Sequence, residues 1–81
     1  MTEEQALKIA THRHYKGGLY RLMYENVINT ETSELMVIYQ HVWPHEPKIY
    51  ARPQSNFYSR TQEGDGVWRF TLLPNLSKDH A

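Results

Sequence analysis

The sequence lacks cysteine, and that absence excludes disulfides, cysteine nucleophiles and thiolate metal sites. Its 81 residues contain aspartate only at positions 65 and 79, and no apolar run approaches the ~18 residues that a membrane-spanning helix needs. The first ten residues carry early acids and no apolar segment of the kind that marks a secretory signal. From these absences we expect a single cytoplasmic domain, residues 1–81, that does not enter a membrane.

An excess of either charge is also lacking, because nine lysines and arginines balance nine acids. A neutral total argues against strong sequence-independent binding to nucleic acid, which requires several phosphates to be neutralised. The charges are nevertheless segregated: residues 8–21 and 48–60 carry lysine or arginine and no acid, and residues 25–46 carry acids and neither cation. Oppositely charged strands that pair across a sheet would explain this pattern, and so would two basic segments that meet as one patch.

Alternation of apolar and polar residues with a period of two predicts strands over most of the chain. Residues 19–28 alternate in this way, and residues 34–43 are rich in β-branched and aromatic residues on both faces. Residues 48–52 and 67–73 have the same character, and residues 12–21 lead into the first strand. We therefore predict a mainly all-β domain, a small SH3-like or partly open antiparallel barrel of four to five strands. An open antiparallel sheet with one packed helix is the alternative.

The segments between and beyond these strands have their own signals. Thr2 and Gln5 fit a capping box, which predicts a short helix or arm within residues 1–10. Turn-forming residues predict a turn or one tight helical turn at 53–56, a turn at 63–66 and a frayed tail at 75–81.

Several short segments together resemble a known family. They are HYKGGLYR (14–21), Thr-Glu-Thr (30–32), VIYQ (37–40), ARP (51–53) with Phe57 behind it, and GDGVWRF (64–70). In this order they resemble the bacterial domain of unknown function 1653 family over about residues 13–73. The resemblance implies a small barrel-like domain, stand-alone or fused, and implies no known activity. Asn29, the Pro44–Pro47 loop and Asn56 depart from the family's pattern, so we expect the loops to differ.

Aromatic residues make up 12% of the chain, and a core this small must use several of them. Four rings are predicted to form the core: Tyr20, Tyr24, Trp68 and Phe70. Five others are candidates for an exposed groove instead: Tyr15, Tyr39, Trp43, Tyr50 and Tyr58. A groove of rings with cations beside it suits a peptide strand, a proline-rich segment or stacked bases.

The candidate contact surface combines rings and cations from the two basic segments. Its predicted members are His14, Tyr15, Lys16, Tyr39, Tyr50 and Arg52. The rings would supply apolar area, and the cations would select an acidic or phosphate-bearing partner. Two structural alternatives stay open at this point. Arg52 could pair internally with Glu31 or Glu34, and the Gly17-Gly18 pair could serve a turn rather than clasp a phosphate.

Metal binding and catalysis have weaker support in the sequence. His12 and His14 would share one face of a strand, but a metal site needs a third ligand. No spacing identifies His41, His45 or a glutamate as that ligand. No serine lies in a Gly-x-Ser-x-Gly context. We therefore predict no metal, no cofactor and no catalytic residue.

The sequence as a whole favours a non-catalytic binding or adaptor module for a protein, a peptide or an acidic ligand. A single-stranded nucleic-acid-binding module that uses the same surface is the alternative, and a small hydrolase or lyase is the second alternative. Exposed strand edges permit either a monomer or a homodimer.

Overall fold

The computed structural model describes residues 1–61 and 66–74 of the chain. Its helices and strands are, in chain order, α1 (Glu3–Leu7), β1 (His12–His14), β2 (Leu19–Ile28), β3 (Leu35–Trp43), β4 (Ile49–Pro53), α2 (Gln54–Phe57) and β5 (Phe70–Leu72). The strands form one five-stranded sheet in the order β4-β3-β2-β1-β5, and every neighbouring pair is antiparallel.

This architecture confirms the prediction of a mainly β domain with a short N-terminal helix. Helix α2 also falls where residues 53–56 predict a helical turn. Within the described residues, no helix has the length and apolar character required to cross a membrane. Residues 63–65 of the second predicted turn and the predicted tail at 75–81 lie outside the described residues.

Helix α1 begins at a complete capping box. The Thr2 hydroxyl accepts from the Gln5 backbone N–H at 3.1 Å, and the Gln5 side-chain oxygen accepts from the Thr2 N–H at 2.9 Å. Because the helix has only five residues, it must be held by packing rather than by its own stability. Ala6 supplies this packing, since it is fully buried in a core on one face of the sheet. The buried members of that core are Ala6, Ala10, Leu19, Val42 and Leu73.

A second core, made largely of rings, forms around β3, β5 and α2. Its buried members are Val37, Tyr39, Phe57 and Phe70, with Tyr20 and Leu22 packed against them. Helix α2 brings Phe57 onto Phe70, and the two rings are stacked with centroids 4.2 Å apart. Tyr20 and Phe70 therefore lie in the core as the sequence predicts.

Tyr24 does not, because it is 62% exposed, and the prediction that it belongs to the core is wrong. Strand β2 contains an irregularity here: Leu22 pairs with Tyr39, whereas Tyr24 pairs with Ile38, so the register shifts by one residue between the two pairs. A shift of one residue moves a side chain to the opposite face of a sheet. The alternation that the sequence shows is therefore interrupted before it reaches Tyr24.

Trp68 is also wrongly predicted as a core ring, since it is 49% exposed. Strand β5 begins at Phe70, later than the sequence predicts, and Trp68 pairs instead with Arg60 in an isolated antiparallel bridge. The Arg60 guanidinium covers the indole, with its Cζ 4.4 Å from the ring centroid. Trp68 therefore packs against a cation at the surface.

A tight turn joins β1 to β2. The His14 carbonyl accepts from the Gly17 N–H at 2.8 Å, and the Gly18 carbonyl accepts from the His14 N–H at 2.8 Å. Gly17 has a φ of +104°, which residues with a side chain rarely adopt. A Cβ on Gly18 would lie 3.1 Å from the Tyr20 ring. Backbone conformation and close approach thus give the Gly-Gly pair a structural explanation.

Candidate anion-binding site

Tyr20 lies at the centre of a group of rings in the aromatic core. Its ring centroid lies 4.8 Å from that of His41, 5.4 Å from Phe70, 5.6 Å from Tyr39 and 5.9 Å from His14. These are contact distances for aromatic pairs. The rings come from different strands, so the assembled sheet is needed to create this layer.

Arg52 lies against this layer and is held from more than one side. Its Nε donates to the Tyr39 hydroxyl at 3.1 Å, and its Nη1 donates to the Asn56 Oδ1 at 2.8 Å. Its Cζ lies 5.3 Å from the Phe70 ring centroid and 5.8 Å from that of Tyr39, which are cation–π distances. Two hydrogen bonds and two rings therefore orient the guanidinium.

The Arg52 charge has no carboxylate partner among residues 1–61 and 66–74. The salt bridge in that part of the chain joins Arg13 to Glu3 at 3.3 Å. The alternative that Arg52 pairs internally with Glu31 or Glu34 is therefore wrong, since a phenol and an amide hold the guanidinium instead. An oriented guanidinium without a counter-charge presents N–H donors in the geometry that a carboxylate or phosphate accepts.

His14 packs against Phe70, the same ring that Arg52 contacts, and its pKa depends on the charges around it. Its ring packs edge-on against Phe70 at a centroid distance of 4.9 Å, and its Nδ1 accepts from the Lys16 backbone N–H at 3.2 Å. Burial lowers the pKa of His14, and the positive charges of Arg52, Arg69 and Lys16 lower it further. The charges of Lys16 and Arg52, one from each basic segment, therefore both act on this imidazole.

Tyr15 and Tyr50 border the same place. The Tyr15 ring lies 4.5 Å from that of His14, and the Tyr50 ring lies 5.7 Å from that of Tyr39. Lys16 and Tyr50 are exposed, so both are accessible to a ligand. We call the following residues the anion cluster: His14, Tyr15, Lys16, Tyr50, Arg52 and Arg69.

The Tyr20 hydroxyl adds a neutral polar group to this region. Burial raises its pKa, and the nearby phenols of Tyr39 and Tyr50 raise it further, while Arg52 opposes them. The Tyr20 phenol therefore stays protonated near neutral pH and brings no negative charge to offset the cations.

Tyr39 is the one predicted contact residue that the structure places in the core. It is 5% exposed, because alternate residues of β3 face inward at Val37, Tyr39 and His41. Its hydroxyl contributes to the site by holding Arg52 rather than by lining a groove. The other five predicted residues are members of the anion cluster.

Two polar residues of the site were not identified from the sequence. Asn56 lies four residues after Arg52, in the helical turn that the sequence predicts, and this spacing is a signal that could have found it. Arg69 has no such signal: its Nε donates to the Ser59 hydroxyl at 3.4 Å, and it influences His14 through its charge.

His12 is separate from the anion cluster although it lies two residues before His14. It is buried, its ring packs edge-on against Phe57 at 5.2 Å, and its Nδ1 lies 2.8 Å from the Thr11 hydroxyl. Burial lowers the pKa of His12, and Glu25 opposes this effect. Within the residues that the structure describes, no group of three histidines or acids is placed to hold a metal ion.

A groove of about 590 Å³ opens beside His14 and Tyr15. Trp68 and Leu72 form part of its other wall. This wall is apolar and exposed, with Leu72 accessible over 59% of its surface. The groove therefore offers apolar contact next to the cationic end of the site.

Comparison with known proteins identifies the family. The family described as "Protein of unknown function (DUF1653)" matches residues 10–72, and no curated protein matches the chain. The crystal structure of a DUF1653 protein from Bordetella bronchiseptica is similar, with a TM-score of 0.67 and 24% identity over 79% of this chain and 83% of that one. This likeness confirms the small open barrel-like β fold. Because the family match spans most of the sequence, the chain belongs to the DUF1653 family of proteins of unknown function.

Proposed function

We propose that this domain is a non-catalytic binding module for ligands that carry a carboxylate or phosphate group. The observation that supports it most strongly is the state of Arg52, whose guanidinium is oriented by Tyr39 and Asn56 and lacks an acidic partner in the described residues. A side chain that is already ordered loses little entropy when it binds, so its remaining donors are preorganised.

The neighbours of Arg52 favour the same class of ligand. Lys16 and Arg69 add positive charge, and the His14 Nδ1 already accepts a hydrogen bond, so a neutral His14 carries its proton on Nε2. The exposed Tyr50 hydroxyl is a further donor. These positive charges would repel a cationic ligand, whereas an anion would gain both electrostatic attraction and hydrogen bonds.

Nuclear magnetic resonance titration with inorganic phosphate and with succinate tests the proposal. We expect the backbone amides of His14–Lys16 and Tyr50–Arg52 to shift in a saturable way at low ionic strength, and the shifts to weaken as sodium chloride is added. Sodium chloride titrated alone at the same ionic strength is the control. Absence of saturable shifts, or shifts confined to other parts of the chain, would contradict the proposal.

A single-stranded nucleic-acid ligand is the second candidate, and one observation favours it. Trp68 is a half-exposed ring covered by Arg60, and Lys16 lies 5.8 Å from the centroid of the partly buried Tyr15 ring, so rings and cations occur together twice. Stacked bases use such pairs. Titration with oligothymidylate would then quench Trp68 fluorescence and shift the backbone amide resonance of Arg60. A ligand confined to the anion cluster would leave both signals unchanged.

A further inference from the structure

We propose that the natural ligand is an extended acidic peptide segment of a partner protein, which adds as a new strand to the free edge of β4. This inference rests on the function proposed above, since it uses Arg52 as the anion site. It adds the class of ligand and the backbone contacts that would recognise it. Peptides that extend a sheet in this way gain affinity from main-chain hydrogen bonds and specificity from alternate side chains.

The register of β3 and β4 shows which backbone groups of β4 face β3. Strand β4 is at the edge of the sheet. Just before it, the His41 N–H donates to the Lys48 carbonyl at 2.9 Å. In an antiparallel ladder, hydrogen-bonded residue pairs alternate with pairs that are not hydrogen-bonded. The pairs Tyr39–Tyr50 and Val37–Arg52 are therefore hydrogen-bonded as well.

The remaining residues of β4 therefore turn their backbone groups outward. These are Ile49 and Ala51, which occupy the non-bonded positions opposite Gln40 and Ile38. In the described part of the chain, no turn, loop or side-chain hydrogen bond reaches the backbone of Ile49 or Ala51. Their two N–H and two carbonyl groups can pair with another strand, and Pro53, which has no N–H, limits that pairing to a short segment.

The side chains along this edge suggest the charge of the added strand. Lys48, Tyr50 and Arg52 alternate along the chain and so share one face. A neighbouring strand places its own side chains directly opposite them. Acidic residues on either side of an apolar or aromatic residue, at every second position, would complement this face. Glu46, in the preceding loop, lines a shallow pocket together with Lys48 and Tyr50, so it adds one acid at the Lys48 end of this face.

The opposite edge of the sheet is less suited to the same role. Strand β5 has only three residues, and Trp68, just before it, is already paired with Arg60. Strand β4 has five residues, and its second residue, Tyr50, is 43% exposed. Of the two cations proposed to meet an acidic strand, Arg52 lies on β4 and Lys48 immediately before it.

The probe for this proposal is an acetylated and amidated peptide of alternating threonine and glutamate with one central tyrosine, in which each neighbouring glutamate is two residues from the tyrosine. In an antiparallel register, the threonines that flank the tyrosine lie opposite Ile49 and Ala51 and direct their N–H groups at β4. N-methylation of these two threonines removes the donors. N-methylation of the tyrosine and one glutamate, whose N–H groups point away, is the matched control.

We expect calorimetric binding of the unmodified peptide and of the control peptide, and at least a tenfold loss with the methylated threonines. The variant Ala51→Pro removes an outward N–H without removing a hydrogen bond to β3. It should therefore weaken peptide binding and leave phosphate binding unchanged. Equal binding of both methylated peptides would overturn strand addition, and the methylation comparison still decides if Ala51→Pro fails to fold.

Other results separate this proposal from the function on which it rests. Phosphate binding at Arg52 without binding of the acidic peptide would overturn strand addition and leave the proposed function standing. Failure of phosphate and peptide alike would overturn both. Sedimentation shows whether the chain forms a dimer through this edge. If a dimer forms, is not dissociated by the peptide and is dissociated by Ala51→Pro, then a second copy of the chain occupies the edge. That result would overturn the proposal of a peptide ligand.

Discussion

Arg52 Nε donates to the Tyr39 hydroxyl at 3.1 Å across the β3–β4 pair. This bond joins a core residue to a residue of the anion cluster, because Tyr39 is buried among rings and Arg52 is only partly covered. The orientation of the guanidinium therefore depends on the packing of the sheet. Perturbing the core at this point should affect stability and binding together.

Replacing Tyr39 by phenylalanine tests this link. The variant keeps the ring and removes the hydroxyl, so we expect the free energy of unfolding to fall by about 1 kcal/mol. Phosphate affinity should also fall several-fold, because Arg52 loses one of its two side-chain acceptors. Urea unfolding and calorimetry measure the two effects. The control Tyr24→Phe, at an exposed position, should change neither stability nor phosphate affinity. Unchanged phosphate affinity in Tyr39→Phe would show that the Tyr39 hydroxyl does not contribute to anion binding.

The pKa of His14 should rise when an anion binds. In the free protein, burial and the charges of Arg52, Arg69 and Lys16 lower this pKa. A bound anion adds negative charge near these groups and therefore favours the protonated imidazole. Titration of the His14 ring resonances with and without saturating phosphate measures the change. A His14 pKa that stays constant or falls on phosphate binding would place the anion elsewhere.

Stability should decrease as the solution is acidified, because the pKa values of His12 and His14 are both lowered from 6.5 in the folded protein. As pH falls through that value, the unfolded chain binds protons that the folded chain does not, so the free energy of unfolding falls until the folded pKa values are passed. Above about pH 7.5 these two histidines contribute no dependence on pH. Urea midpoints between about pH 7.5 and about pH 5.5 measure the slope.

The variant His12→Asn assigns part of that slope to the buried ring. It removes one group that titrates differently in the folded and unfolded chain, so the slope should become shallower even if the variant is less stable at every pH. A slope identical to that of the unaltered protein would show that the acid sensitivity arises from other groups.

Gly17→Ala should destabilise the β1–β2 turn. Gly17 has a φ of +104°, and a Cβ added there would meet no atom within 4 Å, so the expected cost is one of backbone conformation rather than of collision. A loss of about 1–2 kcal/mol is typical for an L-residue forced toward the left-handed region. Thermal unfolding of Gly17→Ala is to be compared with Lys16→Ala in the same turn, which should have little effect. Similar melting temperatures for the two variants would argue against the strain.

The strands of this domain were largely predictable because their apolar periodicity is strong. The predicted bounds of β2, residues 19–28, agree with the structure, and Thr2 and Gln5 mark the start of α1 as expected. The faces of β2 were not predictable beyond Leu22. The register shifts in β2 exchange the side chains that face inward with those that face outward. Asn26, with a φ of +59°, is held by hydrogen bonds to Gln54, which lies far along the chain.

The candidate site was chosen from the sequence by residue type, and its contacts were not predictable. The two basic segments and their rings suggest His14, Tyr15, Lys16, Tyr50 and Arg52, because cations and aromatic residues are visible in the sequence. The partners of Arg52 were not visible. Charge alone suggested a glutamate, whereas the fold places Tyr39 and Asn56 against the guanidinium. Long-range pairing decides these contacts, and a one-dimensional pattern does not contain it.

Calorimetry of phosphate binding to the variant Arg52→Gln shows whether the Arg52 guanidinium binds the anion. The substitution keeps an amide donor for Tyr39 and removes the charge. Arg60→Gln is the matched control, because Arg60 stacks on Trp68 outside the anion cluster. We predict that Arg52→Gln weakens phosphate binding about tenfold or more while Arg60→Gln leaves it unchanged. Equal phosphate affinity in the two variants would show that Arg52 does not bind the anion.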